Sequence, residues 1–339
     1  MNSVNTKINI NQKKIIELLN YHYNDLMHGF YEMQSSFLSG VYAKYRNIES
    51  ASIALCFAKT THLAVLRQRE KYMGANISLS NFFYYLKNTS VKERCQKISN
   101  IVKATNLPKE TVRRKIIDLT NQKHLRTTKD NLYYFNYILK KKETHMKIIT
   151  RDLSILSKFV YIVANKVDLN LTLKEIQIEI EKQFSFYRYH FLNCQLTWLR
   201  MWQSRLEDAD LIFVAIQAII PTLKFSDNRF NVQKMKISDL YKIVGKANDL
   251  YRFSESSINA SSISEISGIP RVTCIRKLNK LVKLGLLTKN LKTKRYLVSQ
   301  STSKRTKFFL KKENVLLTVN SFSELLSIII NELLRKKQL

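Results

Sequence analysis

Asn106-Leu107-Pro108-Lys109-Glu110-Thr111-Val112-Arg113-Arg114-Lys115 returns later in the chain as Gly268-Ile269-Pro270-Arg271-Val272-Thr273-Cys274-Ile275-Arg276-Lys277. The prolines lie 162 residues apart (270 − 108), and the same spacing pairs Thr111 with Thr273, Arg114 with Arg276, Lys115 with Lys277, Leu119 with Leu281 and Leu125 with Leu287. A short helical pattern precedes each copy: Ile98, Ile101 and Ala104 in the first, Ile263 and Ile266 in the second. Each proline suits the first position of a new helix, where the missing N–H would be unpaired in any case. Val112, Ile116 and Leu119 then form an apolar stripe at helical spacing, as do Cys274, Leu278 and Leu281. The stripe turns Lys109, Glu110, Arg113, Arg114 and Ile117 outward in the first copy. In the second it turns out Arg271, Thr273, Ile275, Arg276 and Lys280.

Charge gives these helices a partner class. The 339 residues carry 57 Lys+Arg against 26 Asp+Glu, a formal net charge of +31, so phosphate or another polyanion will be attracted. AT-rich codons inflate Lys, Asn and Ile and account for part of the excess; placement has to decide. From Ile266 to Lys312 there are 14 Lys/Arg and no Asp or Glu. The run covers Arg271, Arg276, Lys277, Lys280 and Lys283 on the helix. It continues through Lys289, Lys292, Lys294 and Arg295 in a hairpin-like stretch, then Lys304, Arg305, Lys307, Lys311 and Lys312. Such a run can track a duplex backbone and release its counterions, whereas a merely solvated face would intersperse acids.

The rest of the chain reads as helix, because 6 Gly and 3 Pro leave few turn signals. Apolar spacing predicts one long helix from Ile15 to about Tyr45, a second from about Ser50 to Arg69, and a third near Leu79 to Lys87. In the second half it predicts a long aromatic-rich helix from Ile176 to about Arg205 and another from Asp208 to Ile220. An apolar helix follows each basic stretch, at about Leu153 to Lys166 and Phe322 to Leu334. An offset of 159 brings Arg46, Glu49 and Ile53 onto Arg205, Asp208 and Ile212. The expectation is one plan used twice: a first half over 1–168 and a second over 169–339, joined near Asp168 to Thr172.

The segments LPKETVRRKIIDLTNQKHL and IPRVTCIRKLNKLVKLGLL resemble the recognition-helix segments of IclR-type and MarR-like winged helix-turn-helix transcription regulators, over about forty residues in each half. The resemblance implies a mainly α fold with two winged helix-turn-helix domains, at about 90–136 and 256–299, flanked by long helices in a pseudo-two-fold internal repeat. It implies a DNA face at Thr111, Arg114, Thr273 and Arg276, with wings carrying Arg126 and Lys129 in one half and Lys289, Lys292, Lys294 and Arg295 in the other. The chain departs from that pattern in joining both units covalently and in the Asp130 of its less basic first wing. Flanking helices packed together would make the monomer a built-in pseudo-dimer, with recognition helices about one duplex turn, roughly 34 Å, apart. Unlike residues at the two helix starts, Glu110 with Arg113 against Val272 with Ile275, predict unlike half-sites. Glu110 could accept from a cytosine amino group or simply stabilise the helix start, and Ile275 could contact a thymine methyl.

The expected partner is therefore double-stranded DNA, and the expected role is transcription regulation in the cytoplasm. A plasmid-type replication initiator with tandem winged helices, or a winged-helix protein-interaction module, shares the same signals. No phosphate loop, nucleophile elbow or paired-carboxylate motif is visible, which argues against an enzyme. The histidines and Cys56, Cys95, Cys194 and Cys274 lack metal-ligand or dithiol spacing, so no metal, cofactor or disulfide is expected. The most apolar segment, Leu211 to Leu223, is too short to span a bilayer. Aromatics at helical spacing from Phe184 to Trp202 favour core packing over a base-stacking platform. Tyr21-His22-Tyr23 and Tyr187-Arg188-Tyr189-His190 are placed to line a pocket between helices, though no effector is specified.

Overall fold

The helix expected from Ile15 to Tyr45 breaks at His22 into α1 (Gln12–Tyr21) and α2 (Tyr23–Tyr45). The computed structural model describes residues 10–71, 77–137, 142–206, 208–230, 254–299 and 312–337. It continues with α3 (Ile48–Lys71), α4 (Phe82–Asn88), α5 (Val91–Arg94), α6 (Ile98–Thr105), α7 (Lys109–Asn121), β1 (Leu125–Thr127), β2 (Tyr133–Phe135) and α8 (Lys142–Asn165). The second half has α9 (Leu173–Lys182), α10 (Phe184–Leu206), α11 (Ala209–Phe230), α12 (Ala260–Ser267), α13 (Arg271–Lys283), β3 (Leu287–Lys289), β4 (Tyr296–Val298) and α14 (Lys312–Lys337). The protein is mainly helical.

The helix expected from Ile176 to Arg205 is also two, divided at Gln183. His22 (φ −104°, ψ 42°) and Gln183 (φ −112°, ψ 40°) take the same non-helical conformation. One such residue turns the axis but leaves the apolar spacing intact, so periodicity reads across it. The offset of 159 gives way to 161: α2 begins at 23 and α10 at 184, α3 at 48 and α11 at 209. Helix α11 also runs through Pro221 instead of stopping at Ile220. The expected linker from Asp168 to Thr172 is a packed turn. Leu169 and Leu171 are buried there, and Thr172 and Glu175 form a capping box on α9.

Helices α3 and α11 are enclosed on almost every side, as helices that are apolar all round must be. Residues 51–58 of α3 and 211–218 of α11 are buried without interruption. Each takes its largest single neighbour from the other half, α3 packing on α10 and α11 on α2, while elements of its own half cover its remaining faces. The first helix of each half also lies on the last helix of the other. Helix α1 lies on α14, fixed where the Ile10 N–H donates to Asn331 Oδ1 (2.9 Å) and the Ile10 carbonyl accepts from Ser327 Oγ (2.6 Å); α9 lies on α8. Edge-to-face rings join the two sides, Phe30 to Phe322 (5.2 Å) and Phe37 to Phe191 (5.4 Å), and Phe30 also meets Phe159 of its own half (5.6 Å).

A core shared in this way predicts one cooperative unfolding transition. Phe30→Ala should cost about 3–5 kcal/mol, the usual loss for a buried aromatic, and shift that whole transition in urea. Two resolved transitions, only one of them moved, would contradict the shared core.

Candidate nucleic-acid interface

Two substructures carry the expected site residues, and their local chemistry matches in detail. Helix α6 ends at Asn106 in the left-handed region (φ 57°), and α12 ends at Gly268 (φ 71°). Asparagine and glycine are the residues that visit this region at least cost. A hydroxyl closes each helix end. Thr105 Oγ1 donates to the Ile101 carbonyl (2.8 Å) and accepts from the Leu107 N–H (3.4 Å); Ser267 Oγ does the same with Ile263 (2.6 Å) and Ile269 (3.1 Å). Pro108 and Pro270 then stand one position earlier than expected, as N-caps with extended ψ of 140° and 136°. Their carbonyls accept from the Val112 and Cys274 N–H groups, each at 3.0 Å.

The buried stripes are as expected: Val112, Ile116 and Leu119 on α7, and Cys274, Leu278 and Leu281 on α13. Exposed on the other side of α7 are Lys109, Glu110, Arg113, Arg114 and Ile117, and on α13 Arg271, Arg276 and Lys280, with Thr111 and Thr273 half-buried. Arg114 and Arg276 make no hydrogen bond or ion pair among the described residues. Arg113 is held by Glu110, its Nε at 3.0 Å and Nη2 at 2.7 Å from the carboxylate oxygens. That hydrogen bond keeps the Glu110 carboxyl below its ordinary range.

Two expectations are corrected here, those for Ile275 and Lys277. Ile275 is half-buried against the core. Val272, named beside it at the helix start, is the exposed apolar residue (78%). Ile266, read only as part of the helical spacing, is exposed on α12, with its carbonyl accepting from Ser39 Oγ (3.0 Å). Lys277 leaves the basic run altogether: it is buried, with Nζ 2.8 Å from Asp208 and 3.2 Å from Asp210 at the start of α11. Lys115 is its counterpart, 3.1 Å from Asn47 Oδ1 and 3.2 Å from Glu49 at the start of α3. These lysines bind their helices to the scaffold. Acids some 69 residues earlier in sequence give no local signal of it.

Each helix is followed by an antiparallel hairpin, Leu125–Thr127 against Tyr133–Phe135 and Leu287–Lys289 against Tyr296–Val298. An upstream residue, Gln96 or Ile258, bridges to the second strand. Arg126 and Lys129 are exposed on the first hairpin, beside the exposed Asp130. On the second, Asn290 Oδ1 accepts from the Lys292 and Thr293 N–H groups (2.9 and 3.1 Å), shaping a tip that exposes Lys292, Lys294 and Leu291 (83%). Lys289 is half-buried with its ammonium 5.6 Å from the Tyr296 ring centre. Arg295 points away from the tip, its guanidinium donating to the Ser257 carbonyl (2.6 Å) and hydroxyl (2.9 Å), so it fastens the hairpin's root. Lys304, Arg305, Lys307 and Lys311, and the side chain of Lys312, lie outside the described residues.

Leu291 is a candidate that the sequence reading passes over, because apolar residues are assigned to the core by default; its signal is position, between turn residues. The aromatics of α10 are mostly core, with Phe184, Tyr187, Phe191, Trp198 and Trp202 buried. Among the described residues no His, Cys, Asp and Glu group could hold a metal ion, and no helix is long and apolar enough to cross a membrane. Comparison with known families, curated proteins and solved structures gave no match.

The split between anchor and surface cations predicts different costs. Lys277→Met should lower stability by about 1–3 kcal/mol in urea titration, less than for a fully enclosed ion pair because Asp208 is 35% exposed. Arg276→Ala should stay within about 0.5 kcal/mol of the wild type. Equal losses in the two variants would contradict the assignment.

Proposed function

We propose that the chain is a double-stranded-DNA-binding transcription regulator in which two winged helix-turn-helix units, related by a pseudo-two-fold internal repeat, are carried on a shared helical scaffold. The observation that carries this reading is the matched pair α7 and α13. Both are short helices capped by proline, preceded by a left-handed turn residue, lysine-anchored to the scaffold and followed by a hairpin, and both hold at the same register an arginine with no ion pair among the described residues. Support for the repeat comes from element bounds: α6 and α12, α7 and α13, and β1 and β3 start 162 residues apart, at 98 and 260, 109 and 271, 125 and 287.

In this reading lysine and arginine position the units on phosphates, and a few residues at each helix start read base edges. The reading heads are unequal. The first spends Arg113 on Glu110 and has Asp130 in its wing; the second is free of acids from Ile266 to Lys312. The second unit therefore supplies more of the phosphate affinity, and an asymmetric or imperfectly palindromic site suits the pair.

Titrating salt against a random duplex tests the class. Neutralising 6–10 phosphates should lose about 10³- to 10⁵-fold in affinity between 50 and 200 mM salt; a flat response would end the proposal in favour of a protein-interaction module. Arg276→Ala should weaken duplex binding by about 1–3 kcal/mol, and wild-type affinity in that variant would remove α13 from the interface. Glu110→Gln should release Arg113 and tighten binding, with a steeper salt dependence. Footprinting that showed no protected site would refute sequence-specific regulation even if sequence-blind binding persisted.

A further inference from the structure

A cavity of about 50 Å³ lies between α2, α3, β2, α8 and α10, away from the proposed DNA-facing helices. It is room for roughly three to five waters at the usual 10–15 Å³ each. Its polar lining is Lys44 of α2, His145 and Asp152 of α8, and Arg188, which reaches in from α10 of the other half of the chain. The remaining wall is largely apolar and includes Phe135 and Tyr137.

The charges around this cavity do not balance. Asp152 is almost fully enclosed, and its two oxygens are taken by Arg151 Nη2 (2.6 Å) and Arg188 Nη2 (2.8 Å). Arg188 has a side chain 9% exposed, and its Nη1 is buried with no hydrogen-bond partner. Lys44 is a third cation. Its ammonium rests 5.1 Å and 5.2 Å from the ring centres of Tyr45 and Phe135 and meets no acceptor among the described residues. Burial, reinforced by the neighbouring Arg188, lowers it to about 8. One carboxylate thus answers two guanidiniums and an ammonium, and an enclosed cation without an acceptor is costly.

Folding does not demand this arrangement. Residue 27, which is 161 before Arg188, is Met27, buried in the matching helix, and Gly40 of the cavity wall is matched by Met201. Apolar side chains fill those places in the matching positions. Gly40 also makes room: a Cβ there would lie 1.8 Å from the Arg151 guanidinium.

We propose that this cavity is a binding site for one small oxyanion, a carboxylate or phosphate, received by Arg188 Nη1 and Lys44 Nζ. The site is built by both halves, has no counterpart at the matching positions 27 and 201, and is independent of the nucleic-acid reading. It is tested on the full chain without DNA, by thermal shift and calorimetry with inorganic phosphate and with propionate, against chloride at equal ionic strength. At least one oxyanion should raise Tm and bind saturably, and the larger response identifies the source as phosphate or carboxylate. Lys44→Met keeps the Asp152 ion pairs and should fold at least as well as the wild type while weakening the anion at least tenfold. Arg188→Met, which copies the residue at position 27, should weaken it further. Absence of any oxyanion response above chloride in the wild type overturns the proposal. So does a response retained in full by Lys44→Met, since that response would come from the basic surface.

Discussion

The structure depends on enclosing α3 and α11. Each is apolar on nearly all its faces, so no single neighbour can enclose it. The largest single share of cover comes from across the chain, α10 for α3 and α2 for α11, and elements of the same half close the rest, so each half contributes to burying both central helices. The packing of α1 onto α14 and of α9 onto α8 extends the same dependence to the ends of the two halves. Polar residues inside α3 are accommodated because their hydroxyls bond one turn back: Ser52 to the Ile48 carbonyl (2.9 Å), Thr60 to Cys56 (3.1 Å) and Thr61 to Phe57 (3.0 Å). His62 is buried against Phe82 (4.8 Å), and its pKa is driven well down by burial and by the Arg188 charge, which leaves a neutral ring.

That scaffold aims the two helix–hairpin substructures. Lys115 and Lys277 tie α7 and α13 to the first residues of α3 and α11, where acids or an asparagine wait. A carboxylate near a helix start is favoured by the helix dipole, and the lysine then neutralises it. The central helices therefore set the direction of the surface helices. The cations left over, Arg114, Arg271, Arg276 and Lys280 with the hairpin lysines, are the ones exposed to a partner.

Divergence between the halves falls in the charged interior more than in the backbone. Left-handed residues recur at matching places, Asn106 with Gly268 and Lys123 with Gly285. By contrast the Arg188, Asp152 and Lys44 group has Met27 at the position 161 residues before Arg188, where a repeat of the plan would call for a second arginine. Backbone geometry is constrained by packing on both sides, whereas a buried charge persists only if something repays its desolvation.

The mainly helical class, the paired proline motifs, both apolar stripes and the places of the hairpins were legible in the sequence, because helical periodicity and capping chemistry are local. Most exposed cations were legible too, since they fall off the stripe. The breaks at His22 and Gln183 were not, because a single turned residue leaves the apolar spacing unchanged. Nor were the burial of Lys277, the inward turn of Ile275 or the anchoring of Arg295 on Ser257. Each is decided by a group distant in sequence, and charge or hydrophobicity alone does not say whether such a partner will arrive. Local order was written in the chain; which charges stay in water was settled only when the two halves closed around α3 and α11.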